Sequence, residues 1–349
     1  MDIKYQERKQ LCSYDLDVGL FEEFNIEVFD LQPLRNVFLL QTNRGKRILK
    51  KINYDTLRLE FIVYALNYIK DGFSRVINYD RGRSEKPYVS WEGEIYTLLP
   101  VIEGRECEVS NPVDINFAVK GIKELHLSSK GIEEHYKKYA KELSEESITK
   151  GSLSGRMDDD LLLLMDLRSW VKKYNKQSPI DNLFLKEYDY LVQEVTDSIE
   201  ALKNSKYIEL SVNPENAVLC HGDLAHHNIL IRDEKSYFLD FDYCSIDLRV
   251  KDVASFIEKS IKGSAYDLEK AEEIINLYNQ SAPLTAEEME LIYIIIKYPK
   301  DYIDLLRNYY FKGKSWEERT FLERLERKLK SREDKKQFLE EFKARYKTL

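Results

Sequence analysis

The chain has 349 residues, of which 43% are hydrophobic and 33% charged, a balance typical of a globular protein long enough to form two compact lobes. The formal net charge is −8 and the basic residues are interleaved with acidic ones, which argues against nucleic acid as a partner. The segment Met1 to Gln10 is polar and no apolar run approaches the ~20 residues of a bilayer span, so we expect synthesis in the cytoplasm and no membrane partner.

Residues 1–100 show the alternation of apolar and polar side chains that is typical of half-buried strands. The predicted strands are Asn25–Leu31, Asn36–Thr42, Lys46–Ile52, Tyr88–Trp91 and Glu94–Leu99. Asn43-Arg44-Gly45 and Glu92-Gly93 are turn signals that join neighbouring strands into an antiparallel arrangement. One helix is predicted between the third and fourth strands by an apolar stripe at helical spacing, made of Leu57, Phe61, Tyr64, Ala65 and Tyr68.

Beyond Pro100 the pattern changes to long helices with one short strand pair. The predicted helices are Asp114–Leu127, Leu161–Tyr174, Leu185–Leu202, Val250–Lys262, Leu268–Asn279 and Ala286–Ile296, and the strands are Asn228–Ile231 and Tyr237–Asp240. The charged tail from Glu317 to Lys347 favours a solvated helical face over a site for polyanions. The prediction is an α+β, protein-kinase-like, two-lobed fold: a small antiparallel sheet with one helix in residues 1–100, and a larger, mainly helical lobe in residues 101–349.

The segment around the predicted strand pair carries the residues with the clearest chemistry. Asn228 follows Asp223 at a spacing of five, and Asp240 follows twelve residues later. Phosphoryl transfer needs one carboxylate to orient or deprotonate the acceptor hydroxyl, and oxygen ligands to hold Mg²⁺ against the phosphates of ATP. One aspartate together with an asparagine–aspartate pair supplies that set.

The register of the strand pair decides whether Asn228 and Asp240 lie close together. If Ile229–Ile231 pairs symmetrically with Tyr237–Leu239, Asn228 lies opposite Asp240, with Cβ atoms roughly 5 Å apart. Two residues at that separation can ligate one Mg²⁺ ion. A slip by one residue would remove this juxtaposition.

The segment His221 to Leu224, followed by Asn228 and then by Leu239 to Asp242, resembles the HGD…N…DFD motif of aminoglycoside, choline and homoserine phosphotransferases. This motif is ordered and flanked by apolar strands, which favours a functional interpretation over three unrelated turn caps. The resemblance implies a kinase-like enzyme that uses ATP and Mg²⁺.

The same resemblance assigns roles to five residues of this chain. It implies that Asp223 is the catalytic base and that His221 braces the catalytic loop. Asn228 and Asp240 are implied as magnesium ligands. Asp242 is implied as a further ligand or as a carboxylate on the acceptor side.

A narrower resemblance covers nearly the whole chain. The segments that carry it are Thr42–Lys51, Arg58–Ile62, Gly72-Phe73, Ile102–Cys107 and Asp240–Cys244. They resemble the CotS family of kinase-like spore-coat proteins, which implies deposition in the endospore coat with other coat proteins as possible partners. Lys251 to Ala254 is similar to a helix opening of the wider superfamily, and there Asp252 is expected to steady the catalytic loop.

Nucleotide contacts are predicted at the third strand and at the junction of the two lobes. Strand alternation places Lys50 and Lys51 on opposite faces, and the Leu-Lys pattern of the family favours Lys50 as the phosphate contact, with Glu60 as its ion-pair partner. Backbone groups of Leu99 and Val101 are expected to face the adenine.

Other observations limit the alternatives. The first turn, Gln32 to Arg35, has no glycine to cover the phosphates, which argues against an ordinary protein kinase and leaves Arg35 as a candidate cation. His226 and His227 are adjacent and therefore point apart, so a zinc site is not favoured. The four cysteines are Cys12, Cys107, Cys220 and Cys244, and their wide spacing predicts buried reduced thiols.

Three functions stay open at this point. The first is a phosphotransferase that acts on a small hydroxyl-bearing acceptor with ATP and Mg²⁺. The second is a structural component of the spore coat with a kinase fold and weak or absent catalysis. The third is a kinase acting on coat proteins or on sugars attached to them.

Overall fold

The structure, a computed structural model, describes residues 16–34, 37–140, 147–173 and 177–347. Its N-terminal part is an antiparallel sheet with the strand order β1-β2-β3-β5-β4 and two helices. The elements are α1 (Val18–Glu23), β1 (Val28–Pro33), β2 (Phe38–Thr42), β3 (Gly45–Ile52), α2 (Thr56–Ile69), β4 (Val89–Trp91) and β5 (Glu94–Pro100). The predicted sheet is confirmed, whereas α1 is a second helix that was not predicted.

Local chemistry explains where these elements begin. β1 starts at Val28 and not at Asn25, because Asn25 has a left-handed φ of 52° that no strand residue adopts. Gly45 closes the β2–β3 turn with a φ of 84°. The Asp55 side chain accepts a hydrogen bond from the Arg58 amide at 2.7 Å and so caps the first turn of α2.

The C-terminal part is mainly helical, as predicted. Its elements are β6 (Arg105–Glu106), α3 (Pro112–Ser128), α4 (Ile132–Tyr139), α5 (Leu153–Lys173), α6 (Pro179–Asn204), α7 (Tyr207–Val212), β7 (Ala217–Cys220), β8 (Ile229–Arg232), β9 (Lys235–Phe238), β10 (Ser245–Leu248), α8 (Val250–Ile261), α9 (Leu268–Asn279), α10 (Ala286–Lys297), α11 (Lys300–Tyr310), α12 (Glu318–Lys330) and α13 (Arg332–Tyr346). Two small sheets, β7–β10 and β6–β8–β9, support the loops between these strands.

Burial shows how the two parts are joined. One hydrophobic core includes Phe61 and Ile62 of α2 and continues through the helices of the C-terminal part. A second, smaller core lies between α1 and the N-terminal sheet, with Leu20 and Leu98 fully buried. The charged tail is helical, but Phe338 and the other apolar side chains of α12 and α13 pack into the large core, so only its outer face is solvated.

The β8–β9 hairpin differs by one residue from the predicted register. Its turn has only two central residues, Asp233 and Glu234, whose φ angles of 50° and 57° fit a tight hairpin turn. Arg232 therefore pairs with Lys235, and the Leu239 amide donates to the carbonyl of Asn228 at 2.9 Å. The prediction that Asn228 lies directly opposite Asp240 is wrong, because a shorter turn shifts every pair.

The described cysteines are buried free thiols, namely Cys107, Cys220 and Cys244. Burial raises the pKa of the Cys107 thiol to about 12, so this side chain stays protonated at neutral pH. Cys12 and Arg35 lie outside the described residues. Among the helices that the structure describes, none combines the length and apolar composition needed to cross a bilayer.

Candidate active site

The loop between β7 and β8 carries His221, Gly222 and Asp223. Gly222 adopts a φ of 81°, and a Cβ atom at this position would overlap the carbonyl oxygen of Tyr243. Glycine is required here on both grounds, since other residues are strained at this φ and none has room. The loop is thereby brought close to the segment that contains Asp242.

Asp252, at the start of α8, binds the backbone of this loop. Its two carboxylate oxygens accept hydrogen bonds from the backbone amides of His221 at 2.6 Å and Gly222 at 2.9 Å, and His126 Nε2 lies 3.3 Å away. Burial by itself would raise the pKa of Asp252, but these donors outweigh it and lower the pKa, so the carboxylate is ionised. Cys220 Sγ lies within 4.8 Å of the His126 and Asp252 ligand atoms but donates to the Leu248 carbonyl at 3.3 Å, so the hydrogen-bonded brace consists of Asp252 and His126. This fits the bracing role expected for Asp252.

His221 is fully buried and fixes a second contact across the site. Its Nε2 donates to the carbonyl of Leu239 at 2.7 Å, and its Nδ1 accepts from the Asp223 amide at 3.3 Å. Burial lowers the pKa of the His221 ring more than the nearby carboxylates raise it, so the ring is neutral. The imidazole therefore joins the loop to the Leu239 carbonyl at the end of the β8–β9 hairpin.

The Asp223 carboxylate is partly exposed and points towards α8. Lys259 Nζ lies 2.6 Å from its Oδ1, and Asn228 Nδ2 donates to its backbone carbonyl at 3.0 Å and approaches Oδ2 at 3.3 Å. Burial raises the pKa of Asp223, but the Lys259 hydrogen bond and charge outweigh that effect and lower it. The sequence did not indicate Lys259 as a site residue, because nothing in its helical context distinguishes it from a surface lysine.

Lys50 of β3 is the lysine that enters the site. Its ammonium lies 2.7 Å from Asp240 Oδ1 and 2.6 Å from Asp242 Oδ2, whereas Lys51 lies on the other face and pairs with Glu94 at 2.8 Å. Burial disfavours the charged ammonium, yet the two carboxylates outweigh it and raise the pKa of Lys50. The ammonium is therefore held in its cationic form between the two carboxylates.

The predicted partner of Lys50, Glu60, is not at the site. Its side chain is exposed and makes no ion pair with any described residue. Residues two apart on a helix point to opposite faces, and in α2 the inward residue is Arg58, which is 4% exposed and donates to the carbonyls of Asp242 and Cys244. The prediction of a Lys50–Glu60 pair is therefore wrong, and Arg58 instead anchors α2 to the chain after β9.

Tyr54 is a further site residue that the sequence did not indicate. Its hydroxyl donates to Asp242 Oδ1 at 3.0 Å, on the side of the carboxylate that Lys50 does not occupy. Burial raises the pKa of this phenol, so it stays protonated and can act as a donor. Asp242 is thus held by two partners, whereas Asp240 is held by Lys50.

The junction of β5 with the helical part differs from the prediction in its hydrogen bonds. The Val101 amide donates to the Lys46 carbonyl at 3.3 Å, and Leu99 is paired with Ile48 of β3. Alternate residues of an antiparallel strand exchange both bonds with one neighbour, so these backbone groups are engaged by β3. The backbone groups of Leu99 and the Val101 amide are therefore not available to an adenine, and strand alternation turns the Pro100 carbonyl away from β3.

The residues present have the chemistry of a site for a hard divalent cation. Asn228, Asp240 and Asp242 supply oxygen ligands, which Mg²⁺ prefers. The Asn228 amide nitrogen is used by Asp223, which leaves its oxygen as the remaining polar atom of the side chain. Asp240 adopts a left-handed φ of 57° and its side chain is 43% exposed, so the carboxylate projects out of the hairpin.

Several known proteins are similar to this chain. A family model described as "Spore coat putative kinase YutH" matches residues 164–342. The "Spore coat protein S" of Bacillus subtilis (strain 168) is 18% identical over 359 residues, covering 99% of this chain and 97% of that protein. The aminoglycoside phosphotransferase from Alicyclobacillus acidocaldarius superposes with a TM-score of 0.76 at 14% identity, covering 96% of this chain and 97% of that one.

A second solved structure is a spectinomycin phosphotransferase, APH(9)-Ia, in complex with ADP and spectinomycin, with a TM-score of 0.64 at 13% identity, covering 91% of this chain and 93% of that one. Both solved structures establish the fold, which is that of the aminoglycoside phosphotransferases, and so confirm the kinase-like fold predicted from the sequence. The expected resemblance to kinase-like spore-coat proteins is likewise confirmed. The family model matches more than half of this chain, and the chain therefore belongs to the YutH family of spore-coat kinase-like proteins.

Proposed function

We propose that the chain is an ATP- and Mg²⁺-dependent phosphotransferase that acts on a hydroxyl group of a small acceptor and is deposited in the endospore coat. The observation that carries the proposal is the convergence of Lys50, Asp223, Asn228 and Asp240, which come from β3, the catalytic loop and the end of the β8–β9 hairpin. Side chains from such distant segments meet at one place only through the fold. Coat deposition is supported by family membership.

Each residue has one task in this reaction. The Asp223 carboxylate accepts a hydrogen bond from the acceptor hydroxyl and takes its proton as the new oxygen–phosphorus bond forms. The bond between the γ-phosphorus and its bridging oxygen breaks, and ADP leaves. Lys50 binds the α- and β-phosphates, for which it must exchange the two carboxylates for phosphate oxygens. A divalent metal held by Asn228, Asp240 and Asp242 would supply positive charge to the phosphates.

The adenine is placed at the junction between residues 1–100 and 101–349. Strand alternation turns the carbonyl of Pro100 away from β3, and the Ile102 amide two residues further on would complete a donor–acceptor pair that matches the edge of an adenine. We therefore place the boundary between the two lobes at this junction. The ADP bound by the related spectinomycin phosphotransferase supports a nucleotide in this fold.

The decisive experiment measures transfer with a matched inactive variant. Purified protein is incubated with ATP, Mg²⁺ and a metabolite extract, and new phosphorylated species are detected by mass spectrometry. We expect products with the parent protein and none with Asp223→Asn, which removes the base without touching the nucleotide ligands. The proposal fails if neither protein binds ATP in calorimetry, or if both yield the same products.

A second function, a structural coat component with weak or absent catalysis, is favoured by one observation. The turn after β1 carries no glycine, so backbone amides cannot approach the phosphates as closely as in a Gly-rich loop. Spores that carry Asp223→Asn separate the two functions. Altered coats support the enzyme, whereas normal coats with normal localisation of the variant support the structural role. A kinase that acts on coat proteins would instead leave phosphorylated coat proteins in the same mass spectra.

A further inference from the structure

A large cavity opens in the helical part, away from the nucleotide residues. It has a volume of about 970 Å³ and lies among α6, α8 and α10 to α13. Small-molecule sites typically have volumes of ~300–1,000 Å³, so the space suits a ligand of metabolite size. Nine of its lining residues are lysine or arginine and six are aspartate or glutamate, although the whole chain has a formal net charge of −8. The cavity is therefore a local region of positive charge in an acidic protein.

Two acidic residues of the lining, Asp301 and Glu258, are engaged by lysines. Asp301 lies 2.7 Å from Lys328 Nζ and 3.6 Å from Lys262 Nζ, so one carboxylate serves two cations. Burial raises the pKa of Asp301, but the two lysines outweigh it and the pKa is lowered, which keeps the carboxylate ionised. Glu258 pairs with Lys335 at 3.4 Å. These carboxylates are consequently not available to bind a cationic ligand.

Four cations of the lining, Arg324, Arg327, Lys336 and Lys343, remain without such a partner. They are exposed and form no ion pair with a residue that the structure describes, and the guanidinium of Arg324 lies over the Trp316 ring. They come from α12 and α13, the helices of the charged tail. Their charge is thus directed at solvent or at a ligand.

The cavity also contains a buried polar group that lacks a partner. Tyr302 is 5% exposed, and its hydroxyl has no hydrogen bond to any described residue. A buried hydroxyl without a partner is costly, which indicates that a ligand or solvent completes it. Nearby, Tyr190 donates to Glu194 at 3.0 Å and lies under Arg332, whose guanidinium is 3.9 Å from the ring centre. The cavity therefore offers neutral hydrogen-bonding groups beside its cations.

One helix joins this cavity to the candidate base. Lys259 of α8 contacts Asp223 at 2.6 Å, and its neighbours Glu258 and Lys262 line the cavity. The cavity wall and the Asp223 contact thus use different residues of this helix, and neither Asp223 nor Lys259 is part of the cavity lining.

We propose that this cavity is a binding site for an anionic small molecule that carries a phosphate or carboxylate group. Its anionic group is bound by Arg327, Lys336 and Lys343, and its polar part by Tyr302. The binding site itself does not depend on catalysis.

Binding is measured by calorimetry on the full chain without nucleotide, with glycerol 3-phosphate as the probe and choline as the cationic control. The test variant is Arg327→Gln, Lys336→Gln and Lys343→Gln combined. The matched variant, Lys172→Gln, Lys203→Gln and Lys330→Gln, makes the same change in charge at exposed lysines outside the cavity. We expect glycerol 3-phosphate to bind at least about tenfold more weakly to the test variant, as expected when charge-assisted hydrogen bonds are lost. Its affinity for the matched variant is expected to equal that for the parent.

A second variant tests the buried hydroxyl. Tyr302→Phe keeps the ring and removes only the group that lacks a partner, and we expect affinity for the probe to fall by about three- to tenfold. The proposal is overturned if choline binds as tightly as glycerol 3-phosphate, or if both triple variants lose the same affinity. If the parent binds the probe in this cavity but does not bind ATP with Mg²⁺, the cavity proposal stands and the proposed function fails. If ATP binds and the probe does not, the reverse holds.

Discussion

The two sides of the active site are held in different ways. On one side, Asp252 is fully buried and binds the backbone amides of His221 and Gly222, so short hydrogen bonds to the main chain fix the loop. On the other side, Lys50 joins Asp240 and Asp242 through its long, flexible side chain, and the Asp240 side chain is 43% exposed. The first side is rigid before any ligand binds, whereas the second can exchange its ion pairs for phosphate and metal.

This difference predicts that substitutions on the buried side act on folding, and substitutions on the exposed side act on binding. A buried carboxylate that accepts several hydrogen bonds is costly to remove, because its donors lose their partners. An exposed ion pair contributes little to stability, because water replaces it. Four substitutions test the contrast.

Asp252→Ala is expected to have the largest effect. It leaves the amides of His221 and Gly222 and the ring of His126 without an acceptor in the protein interior. We expect the free energy of unfolding to fall by about 3 kcal/mol or more, measured by urea denaturation. Asp159→Ala, at an exposed position on α5, is the control and should change stability by less than ~0.5 kcal/mol. Equal stability of both variants would show that the brace is not rigid.

Asp240→Asn tests the exposed side. We expect the variant to keep its fold and to bind ATP at least about tenfold more weakly in the presence of Mg²⁺, because an amide cannot replace the charge of a carboxylate ligand. Calorimetric titrations with and without Mg²⁺ check this, and the loss should be confined to the titration with Mg²⁺. Unchanged affinity in both titrations would remove Asp240 from the set of metal ligands.

Lys259→Met tests the pH dependence of the base. Because Lys259 lowers the pKa of Asp223 in the folded state, this pair stabilises the fold above the usual aspartate range, and that contribution is lost as the pH falls through the lowered pKa. Without the lysine, burial remains and raises the pKa of Asp223 above that of the unfolded chain, so the sign reverses and this group favours the fold increasingly as the pH falls. Thermal unfolding between pH 6 and pH 3 measures this, with Lys172→Met as the exposed control. Parallel curves for parent and variant would argue against the contact.

Glu60→Gln is expected to have the smallest effect. The exposed side chain makes no ion pair with the described residues, so the affinity for ATP and the stability should both equal those of the parent. The same two assays are used as for Asp240→Asn and Asp252→Ala. A clear loss of nucleotide affinity would mean that α2 turns towards Lys50 when ATP binds.

Long periodic segments of this fold were predictable, and short or capped ones were not. The helix Leu268–Asn279 and the core of β3 follow from the spacing of their apolar residues. The start of α6 at Pro179 was missed, although Ser178 and Asp181 form a capping box that marks it. The strand β7 was missed because Ala217–Cys220 is buried on both faces and has no alternation to detect.

Some residues of the candidate site were likewise indicated by the sequence, and others were not. The spacing of Asp223, Asn228 and Asp240, which one loop and one hairpin carry, predicted a phosphoryl-transfer site, and this stays a prediction. Lys259 and Tyr54 were not predictable, since each meets the site from a distant element. The hairpin register depended on a turn of two residues with positive φ, and the sequence Asp233-Glu234 lacks the glycine that commonly indicates such a turn.

The charged tail shows the same limit on a larger scale. Its mixed composition correctly indicated helices with a solvated face, because composition reports the average exposure of a segment. It did not show that Arg327, Lys336 and Lys343 line one cavity. The local order of residues was sufficient for the helices, the strands and the motif, because these depend on neighbours in the chain. Only the tertiary structure decided the partners of Lys50, the inward residue of α2 and the charge of the cavity, because each depends on how separate elements pack.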